Sequence, residues 1–230
     1  MRKIIFVYAG VFAFVIMLSV LGDHYIRQSS SEQKLNGRTT IVIDAGHGGM
    51  DGGAVSCTGV NESSINLEIT LRLDDLFHFL GYQTVMIRRT DTSVYTNGNT
   101  ISQKKISDLK ERVRIINGTE NAFLISIHQN MFQESKYSGA QVFYAPTEHS
   151  KEVAEFLQES ICNTINPGSN RKTKKAAGVY IMEHVQCGAV LVECGFLSNP
   201  EEEQKLQSPD YQKQLCCVIA ASFASFNPNT

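Results

Sequence analysis

Four polar residues stand where a folded chain gains little by placing them unless they do chemistry. His47 sits at the centre of Ile41–Gly53 (IVIDAGHGGMDGG), an apolar strand running into a turn in which five of thirteen residues are glycine. Glycine allows backbone angles and close approaches that a side chain blocks, so an imidazole held there can point into a cleft. Such turns also bind phosphate, but this one has neither GxGxxG nor a Lys-Ser/Thr ending. A metal ligand or a catalytic base is the reading that survives. Glu62 opens a helix behind Cys57-Thr58-Gly59-Val60-Asn61, His128 follows the apolar run Leu124–Ile127, and Glu193 follows Val190-Leu191-Val192. Two imidazoles and one carboxylate make a three-ligand set that leaves a fourth zinc position for water, and a second carboxylate, outside the set, can carry protons. Glu193 suits that second role, because burial after an apolar run raises a carboxyl pKa.

Each residue also has a structural account. A strand-end histidine can simply pack, and a glutamate at a helix start interacts well with the helix dipole. The acid after Leu191-Val192 is harder to explain away, since it must be paired or functional. The residues by themselves leave a metal site and a structural placement equally open; their fourfold coincidence is what raises the question.

The elements that must position them alternate. Strands are expected at 40–45, 82–88, 122–127, 140–145, 178–182 and 189–192, and helices at 62–80, 106–117, 150–165 and 209–225. In the first helix Ile65, Ile69, Leu73, Leu76 and Leu80 repeat at helical spacing. Residues 91–104 and 166–177 read as loops, the second carrying Arg171-Lys172-Thr173-Lys174-Lys175. This run is either a solvated loop or a contact for an anionic polymer. Alternation of this kind indicates a single α/β domain at 40–226, with a largely parallel twisted sheet of six strands and helices on both faces. The carboxyl ends of parallel strands line the ligand crevice, which gathers His47, His128 and Glu193, and the start of the first helix brings Glu62 to the same edge.

The 230-residue chain has a formal net charge of −2 and 42% hydrophobic residues, so no global field draws it to nucleic acid. Arg2 and Lys3 precede nineteen uncharged residues, Ile4–Gly22, about the length that crosses a bilayer as a helix. Residues 1–22 are read as a signal-anchor or a cleaved signal peptide; either exports the domain, on a polar tether at 23–39. The six cysteines (57, 162, 187, 194, 216, 217) lack CxxC pairs and are expected as buried free thiols, with one disulfide left open and a cysteine zinc site disfavoured by spacing. His24, His78, His149 and His184 are treated as background.

At the four polar residues the chain resembles the zinc-dependent N-acetylmuramoyl-L-alanine amidases, which cleave peptidoglycan. The matching pieces are IVIDAGHGGMDGGA (41–54), GVNESSINLEI (59–69), RRTD (88–91), DLKERVRIIN (108–117), LISIHQN (124–130), GAQVFY (139–144) and VLVECGFLSNPEE (190–202), in order across residues 40–226. The resemblance implies Zn2+ bound by His47, Glu62 and His128, Glu193 as catalytic acid/base, and Asn130 as a substrate contact. Gln129 and Asn130-Met131 depart from the small residues that many relatives carry there. Within the family, the short chain, the apolar N-terminus and the basic loop are most similar to the germination-specific, spore-cortex enzymes of endospore formers. That similarity implies peptidoglycan as substrate, a step toward muramic δ-lactam, and an extracytoplasmic location in the developing spore. It also implies a membrane or protein partner that localises a bare catalytic domain. A vegetative autolysin, a zinc peptidase acting on the stem and a non-catalytic wall-binding module are the alternatives. The turn glycines are expected to keep the loop thin, so that a bulky glycan can reach the metal.

Overall fold

Strand β1 (Thr40–Ala45) reads as a continuous apolar run because both of its faces are covered: Ile41 and Ile43 enter one core, Val42 the other. In the computed structural model, which describes residues 39–226, β1 belongs to a sheet with β2 (Gln83–Met86), β3 (Ala122–Asn130), β4 (Gln141–Tyr144), β5 (Lys174–Lys175) and β6 (Gly188–Phe196). The spatial order is β2-β1-β3-β6-β4-β5. Helices α1 (Glu62–Phe79), α3 (Ser150–Thr164) and α6 (Pro209–Ser225) cover the face of Ile41, Ile43, Ile125 and Val192. Helices α2 (Ile101–Asn117) and α4 (Tyr180–His184) cover the opposite face, where Ile116, Ile181 and Met182 meet Val42, Leu124 and Leu191. Ile65, Ile69, Leu73 and Phe77 are the apolar α1 residues that become buried, each stabilising by roughly 1.5–3 kcal/mol relative to exposure.

The sheet is mixed rather than largely parallel. β2, β1, β3 and β6 run parallel, but β4 pairs antiparallel with β6, and β5 follows β4. The cause lies in the connection: β3 and β4 are joined by residues 131–140 without a helix, and parallel neighbours need a longer crossover. β4 therefore turns back two places from β3, and β6 later fills the gap between them.

Other boundaries move as well. The strand expected at 178–182 does not form; residues 180–184 make α4 instead, because Ile181, Met182 and Val185 bury at helical spacing. α2 begins five residues before 106, inside the expected loop, where Thr100 and Gln103 form a reciprocal capping box. A short helix α5 (Pro200–Leu206) was not anticipated; Asn199 caps it by accepting from the Glu201 and Glu202 N–H groups. All six cysteines are free thiols, but only Cys194 and Cys216 are buried, in the first core, while Cys57 and Cys217 are exposed. The segment 4–22 lies outside the described residues. Among the described residues no helix is long and apolar enough to cross a membrane.

The chain winds from β1 through α1 to β2 on one side, then through α2 back past β1 to β3. The carboxyl ends of β1 and β3 therefore flank a topological switch point, where α/β sheets open a crevice. Beneath that crevice lies a buried ion pair. Asp44, 0% exposed, accepts from Ser126 Oγ (2.7 Å) and from the Arg112 guanidinium of α2, itself 1% exposed. Arg112 also donates to Asp108 Oδ2 (2.6 Å), the Ala45 carbonyl (2.9 Å) and the His47 carbonyl (2.6 Å). Arg88, 3% exposed, donates to the carbonyls of Ala45 (2.9 Å), Gly46 (3.0 Å) and Ser63 (2.8 Å). Removing one partner of a buried pair strands the other charge. Arg112→Met is therefore expected to lower unfolding free energy by about 3–5 kcal/mol, read from urea denaturation, whereas Arg114→Met on the exposed side of the same helix should shift it by about 0.5 kcal/mol or less.

Candidate metal centre

The two arginines draw the carbonyls of residues 45–47 downward, and the chain above them must turn. Gly48 and Asp51 exchange backbone hydrogen bonds (2.8 and 3.2 Å), closing a tight loop. His47 takes a left-handed φ of 62°, uncommon for a residue with a side chain. Its imidazole meets two carboxylates: Nδ1 is 3.0 Å from Asp51 Oδ2, and Nε2 is 3.3 Å from Glu62 Oε2. On the far side of Glu62, Oε1 lies 2.9 Å from His128 Nδ1. The two rings stand edge to face with centroids 5.0 Å apart. Donor atoms of His47, Glu62 and His128 all lie within 4.8 Å of one another.

Glu62 is the hub. Its first-turn position brings it to the sheet edge, and its carboxylate also accepts from the Ala54 N–H (3.0 Å), the Gln129 N–H (3.1 Å) and Asn66 Nδ2 (3.2 Å). Asn66 in turn donates to the Gly46 carbonyl (3.1 Å) and accepts from Gln129 Nε2 (3.1 Å). Burial opposes the charge on Glu62, but the hydrogen bonds from His128 and His47 hold its carboxyl far below the usual range. Burial likewise favours a neutral His47 ring, yet Glu62 and then Asp51 lift its pKa to about 9. Asp51 stays ionised against burial through hydrogen bonds from Lys105 (2.8 Å) and His47.

Glu193 lies beside this group. Its Cα pairs with that of His128 across β3 and β6, which puts both side chains on one face. Glu193 Oε2 is shielded from solvent and has no hydrogen-bond partner among the described residues. Desolvation pushes its carboxyl up to about 7, with the His128 charge acting downward and that of Glu62 upward. Both strands run beyond the expected ends, to Asn130 and Phe196, with an irregularity between His128 and Asn130. Asn130 is one level farther along β3 and outside the cluster; its Oδ1 accepts from the Met131 N–H (2.9 Å). Among the described residues, His78, His149 and His184 join no such group.

The donor set fits a metal ion. Ligands about 2.1 Å from a tetrahedral zinc sit about 3.4 Å apart, close to the spacings of Glu62 from the two rings. His47 also holds a carboxylate on its second nitrogen, the arrangement that fixes ring orientation in histidine metal sites. Sequence reasoning missed that partner, although Asp51 stands four residues after His47 in the quoted motif. It also missed Asn66, Arg88 and Arg112, whose roles depend on contacts distant in sequence.

The pattern along the chain is equally specific. The family described as N-acetylmuramoyl-L-alanine amidase (Amidase_3) matches residues 41–224. The chain belongs to that family. It is 37% identical over 181 residues to the germination-specific N-acetylmuramoyl-L-alanine amidase of Bacillus subtilis, spanning 78% of this chain and 76% of that protein. Among solved structures it resembles the CwlD amidase of Clostridioides difficile, in complex with the GerS lipoprotein, at 36% identity and a TM-score of 0.77, covering 80% of this chain and 96% of that one. An N-acetylmuramoyl-L-alanine amidase from Clostridium difficile 630 matches at 30% identity and a TM-score of 0.72, covering 82% and 96%.

In this amidase the turn glycines do not thin the loop for substrate. A Cβ on Gly48 or Gly49 would strike Thr92 and Ser93, which pack against the turn from the side. A Cβ on Gly46 would stand 2.2 Å from His128 Cε1, and one on Gly53 would stand 2.6 Å from Glu62 Oε2 and 2.7 Å from His47 Cδ2. These two glycines let the candidate ligands close on one another. Gly46→Ala, whose backbone angle an alanine can adopt, is expected to weaken zinc affinity on the order of 10–100-fold while the far-UV circular dichroism stays native; unchanged zinc affinity would refute the packing argument.

Proposed function

We propose that the chain hydrolyses the amide between N-acetylmuramic acid and L-alanine in spore-cortex peptidoglycan, with zinc held by His47, Glu62 and His128 and with Glu193 as the acid/base. The observation that carries this reading is the pair of glutamates in opposite environments: Glu62 saturated with donors and ionised, Glu193 shielded with its pKa raised to about 7. Two carboxyls pushed apart in this way are suited to different roles. Zinc, when bound, supplies Lewis-acid polarisation of the carbonyl and a more acidic water. Glu193 accepts the proton lost by the attacking water and delivers it to the alanine nitrogen as the C–N bond breaks. Asp51 and Lys105 hold the His47 ring, and Asn66 holds Glu62 against the turn. Asn130, at the next level of β3, contacts the substrate.

Membership of the family and the match to a germination-specific relative support the cortex assignment. In this reading residues 1–22 export the domain as anchor or signal, 23–39 tether it, and 40–226 act outside the cytoplasm. The relative solved with a lipoprotein supports a protein partner that localises or regulates the enzyme. Digestion of cortex peptidoglycan should release stems beginning with L-alanine in mass spectra; cleavage within the stem would point to a peptidase, and equal rates on vegetative peptidoglycan to an autolysin.

His47→Ala or His128→Ala should lose both zinc and turnover, whereas Glu193→Gln should keep zinc and lose turnover. Glu193→Gln also has a stability signature. Because the folded-state pKa lies above the ordinary carboxyl value, the native state binds more protons between pH 4.5 and about 7. Stability thus falls as pH rises through that window, and the cost is fully present above it. With chelator present, E193Q should melt a few degrees higher than wild type at pH 8 and with it at pH 4.5; equal melting temperatures at pH 8 would contradict the buried-carboxylate assignment.

A further inference from the structure

The polar row that carries His128 and Glu193 does not stop at Glu193. Across the antiparallel pairing of β6 with β4, Glu193 faces Gln141. Gln141, 5% exposed, donates from Nε2 to the Lys172 carbonyl (2.7 Å) and accepts at Oε1 from Arg171 Nη1 (3.2 Å). Arg171 is fixed from two further directions. Its Nε donates to the Ser138 carbonyl (2.8 Å), and its guanidinium lies over the Phe196 ring, 4.7 Å from the centroid. Phe196 is anchored in turn, because the buried Glu202 carboxylate accepts its N–H (3.0 Å) and that of Gly139 (2.9 Å). Among the described residues Arg171 has no carboxylate partner, and its Nη2 makes no hydrogen bond. A guanidinium held this firmly, with one edge free, is a pre-organised donor site for a carboxylate.

We propose that Arg171 binds a carboxylate of the peptide stem, so that the stem leaves the reacting amide past Glu193 toward the β4–β5 edge. The proposal rests on the amidase reading above. In that reading Glu193 protonates the alanine nitrogen, which places the peptide half of the substrate on the Glu193 side of the centre. Next to β6 on that side is β4, and Arg171 is the cation that its Gln141 holds in place. The peptide is also the half that ends in a carboxylate, whereas the sugars offer hydroxyl and acetamido groups that a guanidinium binds less strongly. Lys172, Lys174 and Lys175 are exposed along the same edge and form no ion pair among the described residues. They add positive potential that draws an anionic stem to this side. The basic run therefore has a specific member, Arg171, inside the site, with the lysines outside it.

The test compares zinc-loaded wild type, R171K and R171Q on two N-acetylmuramoyl-peptides that differ only in a free or amidated stem carboxylate. Wild type is expected to favour the free carboxylate about tenfold in kcat/KM, as a charge-assisted hydrogen bond allows, with the difference carried by KM. R171Q should erase the preference and R171K should keep part of it. Calorimetric binding of the free stem peptide should weaken in R171Q by a similar factor, a readout that needs no turnover. No preference in wild type, or equal losses of R171Q on both substrates together with a lowered melting temperature, would overturn the proposal and leave Arg171 as a brace between β4 and the Ser138 loop. Failure of zinc-loaded wild type to cut either substrate would overturn the amidase reading instead, and the calorimetry would still decide the Arg171 contact.

Discussion

The site depends on a buried guanidinium. Arg112 is buried between α2 and the sheet, and all three nitrogens of its fork donate, to Asp44, Asp108 and the carbonyls of Ala45 and His47. A buried charge is tolerated only when paired and hydrogen-bonded, so this pair cannot relax without losing both partners. It therefore sets where the backbone after β1 can go. With the carbonyls of residues 45–47 committed downward to Arg112 and Arg88, the chain cannot continue as strand, and His47 is driven into a left-handed conformation with its ring against Glu62. A left-handed residue costs about 1–3 kcal/mol, less than breaking a buried ion pair at about 3–5 kcal/mol.

Above this base the two glutamates divide the electrostatics. Glu62 collects N–H donors from Ala54, Gln129 and Asn66 besides two imidazoles, which keeps negative charge fixed at the switch point. Glu193 faces the same group from the neighbouring strand with one oxygen unpartnered, and its proton is held loosely near neutrality. Neither property comes from the residue type. One carboxylate stands at a helix start among N–H donors from three other residues, the other lies within a strand buried on both faces, and the fold supplies the difference. A proton carrier needs such a position, because a carboxyl satisfied like Glu62 would have no proton to give at neutral pH.

Those parts of the structure whose cause is local were legible in the sequence. β1, β3 and α1 follow from uninterrupted apolar runs and a helical repeat, and His47, Glu62, His128 and Glu193 were conspicuous as polar residues at the ends of such elements. Signals for the start of α2 and for α5 were present, in Thr100 with Gln103 and in Asn199 with Pro200, but a polar stretch masks a capping box when no apolar periodicity follows at once. The segment 178–182 failed for the opposite reason, since a short apolar run does not distinguish strand from helix. What no local pattern contained was the placement of β4. Its antiparallel seat beside β6 is decided by the missing helix after β3, and only that pairing brings Gln141 and Arg171 to Glu193.

The glycines show how the same composition can carry a different cause. A glycine-rich turn beside a histidine suggests an open loop that lets substrate in, yet Gly48 and Gly49 are blocked by Thr92 and Ser93, while Gly46 and Gly53 are filled by the rings and carboxylate of the centre itself. The turn is closed on its flank and packed from within. The route proposed for the stem, from Glu193 past Gln141 to Arg171, lies across the sheet from this turn, on the β6–β4 side of the centre. There the outermost strand of the sheet, β5, is two residues long and exposed. A strand this short offers few unpaired backbone groups to another chain, which leaves this edge to side-chain contacts such as the one proposed for Arg171. The packed turn around His47 and the fixed guanidinium beyond Glu193 belong to one arrangement, in which the candidate ligands crowd together at the β1/β3 switch point and the polar row continues from Glu193 across β6 to β4.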